Sequence, residues 1–181
     1  RVLLADDHQI LREGIRRGLE AAGEEVVAEA SNGEEAVELA RKHQPDVVLM
    51  DLSMPVVDGI EATRRITSEL PNVRVLVLTM HDDPARTRAA ISAGASGYLT
   101  KGTSFVDVLQ TIRIVASGET FLSPALAVSM LRAAEDASAT EDLLSDRQVE
   151  ILQMVANGFG TKQVARELGI TQKTVHNHLN A

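Results

Sequence analysis

The sequence predicts an α/β fold, a doubly wound parallel five-stranded sheet, followed by a small all-α domain. Three observations carry that reading. Five short aliphatic runs recur about 20 residues apart over the first 100 positions, and helix-period apolar patterns fill the gaps. Runs this short and this rich in Val and Leu are those of strands buried on both faces, which need parallel βαβ connections. After Gly118 the runs stop, and only helical spacing remains.

The five runs fall at 2–5, 26–28, 47–50, 73–78 and 96–99. Leu11, Ile15 and Leu19 repeat every four residues and predict the first helix. Ala36, Leu39 and Ala40 mark the second, Ile60, Ile66 and Leu70 the third, and Phe105, Val108, Leu109 and Ile112 the helix after the fifth run. Ser123-Pro124 opens a short helix-like stretch to about Ala134, and the acidic, small-residue segment 135–141 reads as linker. Ser145 with Gln148 matches a capping box, followed by Ile151, Leu152 and Val155 on one face and a stop at Gly158. A second helix is expected over 161–168, stopped by Gly169, and a third from Thr171. Helix, glycine turn, helix is a helix-turn-helix pattern. The expected units are therefore 1–118, a linker with a short helix over 119–141, and a helical module over 142–181.

Composition narrows the function. The chain has 181 residues, no Cys and 2% aromatics, so disulfides, thiolate zinc sites and a Cys nucleophile are excluded and the core is aliphatic. No apolar run approaches a membrane span and no signal peptide opens the chain, which reads as a cytoplasmic protein with no membrane partner. Because it starts directly in a strand pattern, a few residues are expected upstream. Net charge is −8, with −5 over 1–118, −3 over 119–141 and 0 over 142–181, so a nucleic-acid surface is to be sought in the last segment. Neither a P-loop Gly-Lys-Ser/Thr nor a His-Glu-x-x-His motif occurs.

Ligands of a doubly wound sheet bind beyond the carboxyl ends of its strands. There the sequence places Asp6-Asp7, Asp51, Thr79 and Thr100-Lys101. Taken singly each has a plainer role, Asp6-Asp7 and Thr79 as caps, Asp51 as a loop acid, Lys101 as a surface charge and Tyr98 as a partly buried aromatic. Their joint placement outweighs those roles. Three converging carboxylates repel unless a cation sits among them, and all-oxygen ligation suits Mg²⁺. A divalent ion and an ammonium beside a free Asp are equipment for phosphoryl transfer to that Asp.

Segment 1–118 resembles the receiver domain of bacterial two-component response regulators. The motifs are Leu3-Leu4-Ala5-Asp6-Asp7-His8, Asp51-Leu52-Ser53-Met54-Pro55-Val56-Val57-Asp58-Gly59, Leu78-Thr79 and Gly94-Ala95-Ser96-Gly97-Tyr98-Leu99-Thr100-Lys101. The resemblance implies a flavodoxin-like sheet, Asp51 as phosphoacceptor, and Mg²⁺ held by Asp6, Asp7, Asp51 and the Ser53 backbone carbonyl. It further implies Lys101 on the phosphoryl group, and Thr79 and Tyr98 as a switch pair in which Tyr98 turns inward on phosphorylation.

Segment 142–181 is similar to the helix-turn-helix output domain of the LuxR/NarL type, through Leu144-Ser145-Asp146-Arg147-Gln148-Val149-Glu150-Ile151-Leu152, Ala156-Asn157-Gly158, Lys162-Gln163-Val164-Ala165, Leu168-Gly169-Ile170-Thr171 and Thr174-Val175-His176-Asn177-His178. It departs at Gln148, where Glu is usual, at Gly160-Thr161, where Ser/Thr-Asn is usual, and at His176, where a basic residue is usual. The family's last helix would follow Ala181, so the module is expected to be truncated at its C-terminus. On the third helix Val175 and Leu179 are expected to face the core. His176, Asn177 and Asn180 lie on the other side, toward base edges, while Lys162, Lys173, Thr174 and His178 suit phosphate contacts.

Together the two resemblances imply a phosphorylation-switched transcription regulator rather than an enzyme, with a cognate histidine kinase, DNA and, on phosphorylation, a second copy of itself as partners. Two other readings are distinguishable. A dehalogenase-like phosphatase would carry its nucleophile after the first strand in an Asp-x-Asp pair, whereas here it follows the third. A receiver working only through protein contacts would show no preference among DNA sequences.

Overall fold

The computed structural model describes residues 1–80, 83–124, 127, 128, 130, 131 and 145–180. Six parallel strands form one sheet in the order β2-β1-β3-β4-β5-β6: β1 Val2–Ala5, β2 Val26–Ala30, β3 Val47–Met50, β4 Arg74–Thr79, β5 Gly97–Thr100 and β6 Phe121–Leu122. Between them run α1 Gln9–Ala21, α2 Gly33–His43, α3 Gly59–Glu69, α4 Pro84–Ser92 and α5 Phe105–Ala116. Three helices follow, α6 Asp146–Ala156, α7 Thr161–Glu167 and α8 Gln172–Asn180.

The sheet has six strands where five were expected. The sixth is two residues long, within the segment read as linker, too short to stand out as an aliphatic run. Phe121 N–H donates to the Ser96 carbonyl at 2.9 Å. Gly97 admits this edge, because a Cβ there would lie 3.2 Å from the Phe121 carbonyl oxygen and 2.8 Å from Leu76 Cδ1. The helix-like stretch from Ser123 is helical at residues 124, 127, 128, 130 and 131, and the acidic segment 135–141 lies outside the described residues. The sequence pattern also left α4 unassigned.

Alternation along the strands divides the core of the sheet domain into two layers. Leu3, Ala5, Val48, Met50 and Val75 pack with Ala36, Val37 and Ala40 of α2 and Ala62 and Ile66 of α3. Val2, Leu4, Val47, Leu49, Leu76 and Leu78 pack with Ile15 and Leu19 of α1 and Val108, Ile112 and Val115 of α5. A third cluster runs from Leu52, Val77, Ala90, Ile91 and Tyr98 through Leu122 to Ile151, Leu152, Val155, Val164, Val175 and Leu179, so it is shared by the sheet domain and the helical module. Burying such side chains stabilises each by roughly 1.5–3 kcal/mol, enough to hold three short helices that would not persist alone.

Helix starts follow capping chemistry. Asn32, Asp58 and Ser104 cap α2, α3 and α5 through their side chains. Ser145 and Gln148 form the expected capping box on α6, and Thr171 Oγ1 accepts from Thr174 N–H at 3.0 Å at the start of α8. Among the described residues no helix is long and apolar enough to cross a membrane.

Candidate functional site

Each chemistry-bearing residue stands at the end of a strand. β1 delivers Asp6, 5% exposed, and after it the exposed Asp7; β3 delivers Asp51, 2% exposed. Oxygen atoms of Asp6, Asp7 and Asp51, with a ring nitrogen of His8, all lie within 4.8 Å of one another. Lys101, just past β5, places Nζ 2.8 Å from Asp6 Oδ2 and 2.7 Å from Asp51 Oδ2, with its side chain only 3% exposed. Burial opposes that charge, but hydrogen bonds to Asp51 and Asp6 and their attraction outweigh it, and the ammonium pKa stands above the ordinary lysine value. The register pairs Thr79 with Thr100, and Lys101 N–H donates to the Thr79 carbonyl at 2.8 Å. Thr79 is 1% exposed. Three carboxylates, an ammonium and a hydroxyl thus share one rim, with hard oxygen donors of the kind that hold Mg²⁺.

Residues without a sequence signal complete the rim. Arg12 Nη1 donates to the Asp6 carbonyl at 2.6 Å, while its Nε donates to Glu29 at 3.0 Å, which pins the β1–α1 turn. His8 Nδ1 lies 2.8 Å from Asp7 Oδ1. Arg86 of α4 donates to Ser53 Oγ at 3.0 Å and to the Leu52 carbonyl at 3.1 Å. Only His8, adjoining the Asp pair, had a positional cue; the two arginines reach the site across helices.

The loop after Asp51 carries backbone strain. Val56 has φ 68° and is 85% exposed. A β-branched residue in the left-handed region costs about 1–2 kcal/mol, and glycine in its place loses roughly 0.5–1 kcal/mol of that gain to chain entropy. Val56→Gly is therefore expected to raise stability slightly, by up to about 1 kcal/mol, read as a rise of a few degrees in Tm. An unchanged or lower Tm would mean the loop relaxes without cost.

Tyr98 departs from expectation. Its side chain is 2% exposed and packs in the cluster with Leu122, Ala90 and Ile91. The same cluster takes in residues of α4 and of the helical module.

The DNA-contact candidates are divided. Lys162 and Lys173 are exposed, and the Thr174 hydroxyl is engaged by Thr171 at 2.8 Å. His178 is half-buried, and the Asn180 side chain lies outside the described residues. His176, expected on the side away from the core, is half-buried there: its Nδ1 lies 2.7 Å from the Thr120 hydroxyl. Thr161 Oγ1 donates to the Thr120 carbonyl at 3.1 Å, so one residue before β6 holds both α7 and α8. Asn177 and His176 line a cleft of about 430 Å³ with Arg64, Arg74, Ser92 and Ser96. Helical periodicity gave the face of α8 correctly but not what covers it. Burial first, and then the nearby Arg74 charge, hold the His176 pKa below the ordinary histidine value.

Comparison with known proteins agrees with this geometry. Residues 2–113 match the family model described as response regulator receiver domain, and residues 142–181 that of bacterial regulatory proteins, luxR family. The transcriptional regulatory protein DegU of Brevibacillus brevis is 35% identical over 99% of this chain and 84% of its own length. Response regulator UvrY of Escherichia coli K12 is 39% identical over 98% of this chain and 83% of its own length. A crystal structure of a LuxR-family two-component response regulator from Aurantimonas sp. SI85-9A1 superposes with a TM-score of 0.69 at 42% identity, covering 74% of this chain and 96% of that one. With the strand-end acids and Lys101 in one domain and a helix-turn-helix in the next, the chain belongs to the response regulators that join a receiver domain to a luxR-family DNA-binding domain.

Proposed function

We propose that Asp51 accepts a phosphoryl group from a histidine kinase, and that the phosphorylated chain, favoured as a homodimer, controls transcription by sequence-specific DNA binding. The observation that carries this is the buried Asp51 carboxylate with Lys101 Nζ 2.7 Å from Oδ2 and the Asp6-Asp7 pair beside it. One Asp51 oxygen forms the new O–P bond as the P–N bond of the donor imidazole breaks, and the imidazole leaves with its nitrogen lone pair, protonated from solvent. Lys101 Nζ follows the transferred oxygens and offsets their charge. The Thr79 hydroxyl, at the neighbouring strand end, donates to a phosphoryl oxygen. Asp6, Asp7, Asp51 and the Ser53 carbonyl would hold Mg²⁺, which supplies further charge neutralisation when bound. Thr79 drawn toward the phosphoryl group lets Tyr98 turn further inward and repacks the β4–α4 face, the face that also covers α8.

DNA selection with the phosphorylated and unphosphorylated protein tests this reading. Enrichment of paired half-sites about one helical turn apart, or a multiple of it, is expected only after phosphorylation. Lys162 and Lys173 then serve as phosphate contacts, and Asn177 and His176 read base edges once α8 is released. No preference between selected and scrambled duplexes in the phosphorylated protein would favour a receiver that works through protein contacts alone.

The two switch residues separate acceptance from response. Thr79→Ala is expected to take up phosphate but to self-associate poorly, because the hydroxyl that donates to the phosphoryl oxygen is gone while Lys101 still offsets its charge. Lys101→Ala removes charge-assisted contacts worth about 1.5–3 kcal/mol, so its phosphorylation slows by roughly ten- to a hundredfold. Sedimentation with and without phosphodonor checks both; wild-type association in both variants would place the switch elsewhere.

Acidification has a definite sign. The docked state holds His176 neutral, below its ordinary pKa of 6.5, while a released α8 lets it titrate normally. Docking is at full strength above that ordinary value and weakens as pH falls through it toward the depressed one. Hydrogen exchange in α8 is therefore expected to quicken between about pH 7.5 and pH 5.5, relative to the intrinsic rate. Arg64 and Arg74 line the same cleft. A pH response of equal size in His176→Gln would assign it to another group.

A further inference from the structure

The geometry points to Arg86 as a positioning residue that orients the Asp51 carboxylate through a single peptide group and ties that orientation to α4. The inference rests on Asp51 as the phosphoacceptor.

Arg86 stands in the first turn of α4. Its Nη2 donates to the Leu52 carbonyl at 3.1 Å and its Nη1 to Ser53 Oγ at 3.0 Å. Gly59 N–H also donates to the Leu52 carbonyl, at 3.1 Å. The Leu52 carbonyl and the Ser53 N–H belong to the same peptide plane, and they point in opposite directions. A grip on the one therefore sets the direction of the other. Ser53 N–H donates to Asp51 Oδ1 at 3.3 Å, while Lys101 holds Oδ2. The carboxylate is thus fixed at one oxygen by Lys101 and at the other by a peptide that Arg86 and Gly59 hold from behind. Both of these Arg86 hydrogen bonds go to the loop after Asp51.

The same helix reaches the other domain. Ala90 and Ile91, about one turn along α4, belong to the apolar cluster that includes Ile151, Leu152, Val175 and Leu179, and α4 packs against α8. Loading Asp51 with a phosphoryl group changes what Oδ1 can accept. The 52–53 peptide then shifts, and Arg86 carries that shift to α4 and to the face on which α8 docks. A plain tether would hold the loop in place without setting either the rate at Asp51 or the response of α8.

The test follows phosphorylation of Asp51 by acetyl phosphate with Mg²⁺, by intact mass, in the parent, Arg86→Ala and Arg86→Lys, together with hydrogen exchange over residues 172–180 before and after phosphorylation. For Arg86→Ala the maximal rate is expected to fall about tenfold, as for loss of one well-placed hydrogen bond, with unchanged half-saturation by the donor, because Arg86 touches the loop and not the donor. Its phosphorylation-induced change in exchange over 172–180 is expected to fall below about half that of the parent. Arg86→Lys, able to reach one acceptor, is expected between the two. A parental maximal rate and exchange response in Arg86→Ala would overturn the proposal, as would a raised half-saturation at unchanged maximal rate, which would make Arg86 a donor-binding group. Should Arg86→Ala not fold, parental values for Arg86→Lys overturn it equally. A parent that takes phosphate elsewhere than Asp51 would instead refute the acceptor assignment.

Discussion

Asp51→Asn is expected to gain no phosphoryl mass from acetyl phosphate and Mg²⁺ under conditions that label the parent fully. The amide is nearly isosteric and can still accept the Ser53 N–H, so the loop should keep its shape. What is lost is the nucleophile, since an amide oxygen has no anionic lone pair to form the acyl phosphate. A fall of at least about a hundredfold, about 3 kcal/mol in barrier, is expected. The neighbouring acids do not substitute. Asp6 is engaged by Lys101 at 2.8 Å and by the His8 N–H at 2.8 Å, and Asp7 is paired with His8 at 2.8 Å. The product in the parent should be stable to acid and labile to base, the signature of an acyl phosphate. Labelling of Asp51→Asn to the parental extent would move the acceptor to Asp6 or Asp7 and would remove the basis for the roles given to Lys101, Thr79 and Arg86.

What could be read from sequence divides along a physical line. Strands β1 to β5 were legible because burial on both faces forces continuous aliphatic runs. The convergence of Asp6, Asp7, Asp51, Thr79 and Lys101 was legible because parallel topology puts every strand's carboxyl end on one rim. Strand β6 was not, since two residues carry no period and Phe121 and Leu122 are held by a neighbour that happens to be Gly97. Helix α4 was missed because its buried side chains, Ala90 and Ile91, meet a partner surface that includes residues some 60 positions away, such as Ile151. Arg12 and Arg86 have the same cause: each grips a backbone carbonyl, which every residue possesses, and a side chain far off in sequence, Glu29 and Ser53, so no local pattern marks them. His176 was placed on the correct side of α8 by periodicity, but the contact with Thr120 spans 56 positions and depends on how two domains dock. Local pattern thus gave the parts that chemistry needs in the receiver, and failed where one element is defined by another.

Gly59→Ala is expected to have the largest structural effect of any single methyl addition at the site. A Cβ at Gly59 would stand 2.0 Å from the Asp51 carbonyl oxygen and 2.7 Å from Leu52 Cα, both backbone atoms. No side-chain rotation relieves that contact, so either α3 or the 51–52 backbone must move. The strand is the less yielding side: Asp51 N–H donates to the Ala5 carbonyl at 2.8 Å, and β3 sits between β1 and β4. Helix α3 is held in turn by the Asp58 cap and by Ala62 and Ile66 in the core. Overpacking between two such surfaces costs typically about 1–3 kcal/mol and occasionally more, and here it falls on backbone, at the upper end of that range. A drop in Tm of about ten degrees is expected, on a scaling of about 4 °C per kcal/mol for a domain somewhat above 100 residues. The functional consequence is separable from the loss of stability. Displacing the 51–52 peptide also breaks the Gly59 N–H grip on the Leu52 carbonyl, leaving Arg86 as its only holder among the two. At a temperature where Gly59→Ala remains folded by circular dichroism, acceptance of phosphate at Asp51 is still expected to be at least about tenfold slower than in the parent. A folded variant with parental stability and parental phosphorylation would show that α3 slides without cost, and that the close approach at Gly59 does not position the acceptor.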